Sequence, residues 1–141
     1  MADAMKYPEQ IICRQLSATP AVARHLGFRL YPLIAPTSAP LPFAVYRRNT
    51  VTREQTIGLP PQIPKTDLSL MLFAASYSQV RELADACREK LDHLRVTQQG
   101  VELANVTIED ETEDIVQLEG GDLPPAWQVT LRLSIQWSEA D

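Results

Sequence analysis

The stretch Trp127-Gln128-Val129-Thr130-Leu131-Arg132-Leu133-Ser134-Ile135-Gln136-Trp137 decides how the chain folds. Six apolar residues alternate with five polar ones. A period of two puts all six on one face of an extended strand and the five polar residues on the other. Such a strand must bury one face. A second segment offers the matching surface. In Ser76–Leu94, residues Val80, Leu83, Ala84, Cys87, Leu91 and Leu94 recur at helical spacing and form one apolar stripe. Ser76 and Gln79 form a capping-box pattern at its start. Arg81, Asp85, Arg88 and Asp92 lie on the opposite side, with opposite charges at i, i+4. A one-sided strand and a one-sided helix predict two layers sharing one core.

Asp67–Ala74 reads as a strand that is apolar on both faces, Leu68, Leu70 and Leu72 against Met71 and Phe73. That pattern places it centrally in a sheet. Phe43–Arg48 reads as another strand, with Phe43 and Val45 on one face and Tyr46 on the other. Ala104, Val106 and Ile108 alternate with Asn105, Thr107 and Glu109 as a half-buried strand does, after a turn at Gly100. Upstream, residues 8–17 predict a helix opened by Pro8. A short second helix has Thr19 as its cap, Pro20 as its opening residue and Gly27 as its close. Residues 28–33 are extended, and Pro32, Pro36, Pro40 and Pro42 make the following connector stiff. The expected fold is α+β: two layers, a mainly antiparallel sheet of about four strands, a long amphipathic helix and N-terminal helices. One domain spans residues 1–141, with a long loop at 49–65 and an acidic, turn-rich loop at 109–125.

Composition bounds function. The 141 residues carry 13 basic and 18 acidic side chains, a formal charge of −5. That balance argues against a general nucleic-acid binder, which needs excess Lys and Arg facing phosphates. Two cysteines, Cys13 and Cys87, are too few for a disulfide framework. No secretory signal or membrane-length apolar run is visible. Charge is unevenly spread: residues 1–65 hold eight basic and three acidic groups, residues 66–141 five and fifteen. Self-complementary assembly is one explanation, and interleaving of both signs in space is the other.

The sequence contains no phosphate-cradling glycine loop, zinc-binding HExxH, serine elbow or CxxC. His25 and His93 lack a partnered nucleophile, and His93 suits a helix C-terminus. Cys87 falls within the apolar stripe and reads as a buried, inert thiol. Glu109, Asp110, Glu111, Glu113 and Asp114 form the dense acidic cluster. They lack the spacing of a calcium loop, so a solvated segment or an acidic contact surface is the reading. Arg47, Arg48 and Arg53 form a small basic cluster, either an exposed strand end or a subunit or partner contact. Trp127 is expected in the core, and Trp137, near the chain end, in the core or at an interface. No catalytic, cofactor-binding or metal-ligating residue is assigned, and no cofactor.

The order of features resembles a known family. Helical residues 8–26 lead into Phe28-Arg29-Leu30-Tyr31-Pro32, then Ala35-Pro36, then Leu41-Pro42-Phe43-Ala44-Val45-Tyr46. A loop, an apolar strand, a Ser76-Tyr77 helix start and a final alternating strand follow. Over about residues 8–137 this is similar to the tail terminator, or tail completion, proteins of long-tailed phages, prophages and gene-transfer particles. The resemblance implies a structural, non-enzymatic virion protein of the tail or neck, assembled in the host bacterial cytoplasm. It implies a ring, typically a hexamer, that ends polymerisation of the tail tube and meets the head-side connector. DNA passes through the ring without sequence-specific binding, and no membrane is involved. In that setting Arg47, Arg48 and Arg53, with Pro60 and Pro61 of the 49–65 loop, are expected to contact a neighbouring subunit or the tail tube. Glu109, Asp110, Glu111, Glu113 and Asp114 are expected at an interface or the lumen. The rival readings are another neck component, such as a head-completion or stopper protein, and a small cytosolic α+β ligand-binding module.

Overall fold

The computed structural model describes residues 8–27, 29–33, 35, 40–52, 65–98, 101–116 and 125–139. Two N-terminal helices, α1 (Pro8–Ser17) and α2 (Pro20–Leu26), precede the strands β1 (Leu30–Pro32), β2 (Phe43–Thr52) and β3 (Lys65–Ala74). Helix α3 (Tyr77–Leu91) follows, then β4 (Val96–Gln98), β5 (Val101–Val116) and β6 (Ala126–Glu139). The sheet order is β1-β2-β3-β6-β5-β4. All pairings are antiparallel except β1 with β2, so the sheet is mixed. The fold is α+β, as expected. The sheet has six strands rather than about four because two three-residue strands flank the longer ones, one at each edge.

The helices cover one face of the sheet. β6 presents Val129, Leu131, Leu133, Ile135 and Trp137 to that side, all buried. β3 aligns Leu68, Leu70 and Leu72 with Leu133, Leu131 and Val129. Ile11, Ile12 and Leu16 of α1, Val22 and Leu26 of α2, and Val80, Leu83, Ala84, Cys87 and Leu91 of α3 close the core from above. The placement of β3 between two partners follows from its two apolar faces. On the open face Phe43 stacks on Phe73 with centroids 4.9 Å apart, and Tyr31 meets Phe43 edge-on.

Several boundaries move. α3 ends at Leu91 rather than Leu94. Asp92 leaves helical geometry, and His93 takes a left-handed conformation at φ 63. Its N–H donates to the Val106 carbonyl of β5 at 2.7 Å. Leu94 still packs on the core, from outside the helix. Ser76 caps α3 as its spacing predicts, accepting from the Gln79 N–H. Thr19 sits at the N-cap of α2, but its hydroxyl donates back to the Gln15 carbonyl. β2 continues to Thr52 and β3 begins at Lys65, so the expected 49–65 loop loses both ends to strand.

The largest correction concerns the acidic loop. Residues 109–116 are strand, part of the sixteen-residue β5. Two bulges explain why simple alternation misses this. Leu103 pairs with Trp137 and Asn105 with Gln136, which leaves Ala104 as an extra residue. Ile108 pairs with Leu133 and Asp110 with Arg132, which leaves Glu109 extra. Each bulge exchanges the faces of everything beyond it. Val101 and Leu103 are inward, then Val106 and Ile108, then Glu111, Glu113 and Ile115.

Candidate assembly surfaces

The basic cluster is divided by the pleat of β2. Arg47 pairs across the sheet with Ser69 and is exposed on the open face. Arg48 pairs with Leu68 and points to the helix side. There its Nη2 donates to both carboxylate oxygens of Glu9, at 2.6 and 2.9 Å. This pair fastens α1 onto the sheet. A charged hydrogen bond in a partly buried site is stronger than an exposed pair. Arg53, Pro60 and Pro61 lie outside the described residues.

Beside Glu9, Cys13 and Tyr46 face each other between α1 and β2. Burial pushes the Cys13 thiol up to about 12, opposed by its hydrogen bond with Tyr46 and reinforced by Glu9. Burial, then the neighbouring Cys13 and Glu9, push the Tyr46 phenol to about 12. Cys87 is driven to about 12 by burial. Raised thiol pKa values make both cysteines unreactive at neutral pH. Cys87 is buried, as its place in the apolar stripe predicts.

The acidic cluster is also divided, by the second bulge. Glu111 and Glu113 come round to the helix side and meet Arg81 of α3, at 3.3 and 3.5 Å. Asp85 joins the same guanidinium at 3.2 Å and also receives Arg88. Burial lowers the Arg81 pKa, but the surrounding carboxylates outweigh it and the net direction is up. Asp110 stays on the open face, 3.1 Å from Arg132. Asp114 accepts its neighbour's N–H, from Ile115, at 2.8 Å. Glu109, Asp110 and Asp114 are exposed. Among the described residues, no group of three or more His, Cys, Asp and Glu could hold a metal ion. Among the described residues, no helix is long and apolar enough to cross a membrane.

The tryptophans divide as well. Trp137 is 4% exposed, and its Nε1–H donates to the buried Thr66 hydroxyl at 2.8 Å. It belongs to the core and not to an outer surface. Trp127 is half-buried and meets Tyr77 edge-on, centroids 5.4 Å apart. Ile115 lies opposite Trp127 in the register of β5 and β6. Tyr77 and Ile115 are 47% and 51% exposed, so the end of β5 carries an apolar patch beside its acids. At the other edge of the sheet Leu33, following β1, is 69% exposed. A shallow groove of ≈ 480 Å³ between β4 and β5 is lined by Arg95, Val96, Thr97, Glu102, Leu103 and Ala104.

The model of one protein family, the tail completion protein gp17 family, matches residues 10–135. The chain belongs to this family. No curated protein matches the chain. Among solved structures, a chain of the "Virion of native gene transfer agent (GTA) particle" shares the fold at a TM-score of 0.66. The two are 15% identical, and the likeness covers 89% of this chain and 90% of that one. This tail completion protein is therefore a structural component of the virion tail. The matched span holds all of α2 and the proline-led strand, and most of α1 and of the closing strand β6. Glu9, just outside that span, and Tyr77, Arg81 and Ile115 within it are the contact residues that sequence reading missed. Arg81 was legible as one partner of Asp85. Its reach to Glu111 and Glu113 depends on a bulge, which leaves no mark in a period-two pattern.

Proposed function

We propose that this tail completion protein forms a ring on the head-proximal end of the tail tube, ends tube polymerisation and meets the head-side connector. The observation that carries the reading is the family match over residues 10–135. Six copies are the expected number. A closed ring needs two different surfaces on each subunit, one for each neighbour. The excess of basic groups in residues 1–65 and of acidic groups in 66–141 supports such a pair of surfaces. Six copies would carry about −30, six times the chain's −5, which disfavours a grip on passing DNA and suits a conduit.

The contact roles narrow with the geometry. Arg48 is engaged by Glu9, so Arg47 is the basic strand residue left for a neighbour or the tube, together with Arg53, Pro60 and Pro61. Glu111 and Glu113 are engaged by Arg81, which leaves Glu109 and Asp114, together with Asp110 in its half-exposed pair with Arg132, for a neighbour, the lumen or the head-side partner.

Light scattering across a concentration series, alone and with purified tail tubes, tests the reading. A particle near 95 kDa, six times 15.8 kDa, or a monomer that caps tube ends, is the expected outcome. A chain that stays monomeric and binds connector rings in preference to tubes would make it a head-side neck component. A monomer that binds neither would overturn the structural assembly role.

A further inference from the structure

Resting on the ring reading, we infer that neighbouring subunits join edge to edge, the outer edge of β2 in one copy against the outer edge of β5 in the next, continuing one sheet around the assembly. The sheet has two long strands that are only partly covered on the outside. β1 pairs with β2 only at Ala44, Val45 and Tyr46. Among the described residues, no strand lies outside Arg47–Thr52. At the other side, β4 pairs with β5 only at Val101, Glu102 and Leu103. The His93 N–H takes the Val106 carbonyl. Among the described residues, no strand lies outside Thr107–Val116. An exposed edge of this length offers a row of backbone donors and acceptors to another chain.

The two edges differ in the ways a heterologous contact requires. The β2 edge carries Arg47, exposed on the open face, with the exposed Leu33 close by, its N–H donating to Tyr46 of β2. The β5 edge carries Glu109, Asp110 and Asp114, with the exposed Ile115 and Tyr77 at its end. Asp110 and Asp114 pair in register with Arg132 and Gln128, and Arg47 with Ser69, which itself pairs with Arg132. All three therefore stand on the same face of the sheet. A β5–β5 contact would set carboxylates against carboxylates, and a β2–β2 contact would set arginine against arginine. Only the mixed contact is attractive. Direction agrees. β2 and β6 run one way and β3 and β5 the other. Copies related by rotation about an axis along the strands would therefore place β2 antiparallel to the next β5. Many edge strands are charged to prevent this kind of pairing, but a guard of a single sign is an attraction toward an edge of the opposite sign.

A charge swap tests the inference. The variants are Arg47→Glu, the double Asp110→Arg with Asp114→Arg, and the triple that combines all three changes, each checked for a wild-type circular dichroism spectrum and melt. Assembly is read as the subunit concentration at half-formation of the oligomer, or of tube caps, by light scattering. Each partial variant is expected to need about tenfold more subunit or greater, the effect of juxtaposing like charges across an interface. The triple is expected to recover most of that loss. Wild-type assembly with all variants assembling equally would overturn the edge contact and leave the ring standing. Partial variants that fail without rescue by the triple would also overturn the pairing. A wild type that assembles neither alone nor on tubes would overturn the ring and the edge contact together.

Discussion

β5 and β6 are neighbours over almost their full lengths, yet they obey different rules. β6 is held on both sides, by β3 and β5, from Trp127 to Gln136. Its inward residues from Val129 to Trp137 never miss a beat. Among the described residues, β5 is held on its other side only by β4, at Val101–Leu103, and it slips register twice, at Ala104 and Glu109. A strand clamped between two partners cannot insert a residue without shifting both ladders. An edge strand can bulge freely on its outer side. The freedom has a use here. It turns Glu111 and Glu113 toward Arg81 while Asp110 and Asp114 remain on the open face.

Single-residue deletions give the sharpest break between the two. Deleting Arg132 would move residues 127–131 to the wrong faces and is expected to abolish the cooperative thermal transition. Deleting Ala104 would remove a bulge and leave Leu103 opposite Trp137 and Val106 opposite Ile135. That variant is expected to fold and melt cooperatively. If both deletions behaved alike, the contrast between clamped and free strands would be wrong.

The next effect concerns the layer above the central strands. Cys13, Tyr46 and Cys87 have folded pKa values raised to about 12 from ordinary values of 9.0, 10.0 and 9.0. A group whose pKa is raised on folding contributes stability that is full below the unfolded value and lost as pH climbs through the folded one. The melting temperature is therefore expected to hold up to about pH 9 and to fall steeply toward pH 12. Replacing Cys87 with Ala should flatten that fall, despite a lower starting stability. An alkaline slope identical to wild type would show that the thiol is not held neutral by the fold.

Side-chain changes order the rest. Trp137→Phe on β6 removes the indole donor from the buried Thr66 hydroxyl and is expected to cost about 1–3 kcal/mol in urea unfolding. Asp110→Asn on β5 breaks a half-exposed ion pair with Arg132 and is expected to cost at most about 0.5 kcal/mol. Equal losses would mean that the edge of the sheet is as tightly held as its centre.

Legibility followed the same division. The α3 stripe, the Ser76 cap, the central place of β3 and the whole of β6 were readable, because each is enforced by a face that must be buried. β1 lies within the 28–33 segment that reads as extended, but its pairing with β2 is not legible, and β4 is not legible at all, because three residues carry no period. Nothing in the sequence marks the acidic run 109–116 as strand, because charge on an edge strand resembles charge on a solvated turn. Arg47 and Arg48 looked like one cluster, and only the pleat, with Glu9 brought from α1, separated them.

The amino-acid order by itself determined the two-layer α+β design, through a helix with one apolar stripe and a strand with one apolar face. The proline-led strand and the sequence of elements determined the family likeness. Tertiary structure alone decided which charges are spent inside the subunit and which remain outside. Local patterns record the need to leave water, and that need is a property of each segment. A charge chooses its partner across the fold, from residues far away in the chain, and so is settled only once the sheet has closed its register.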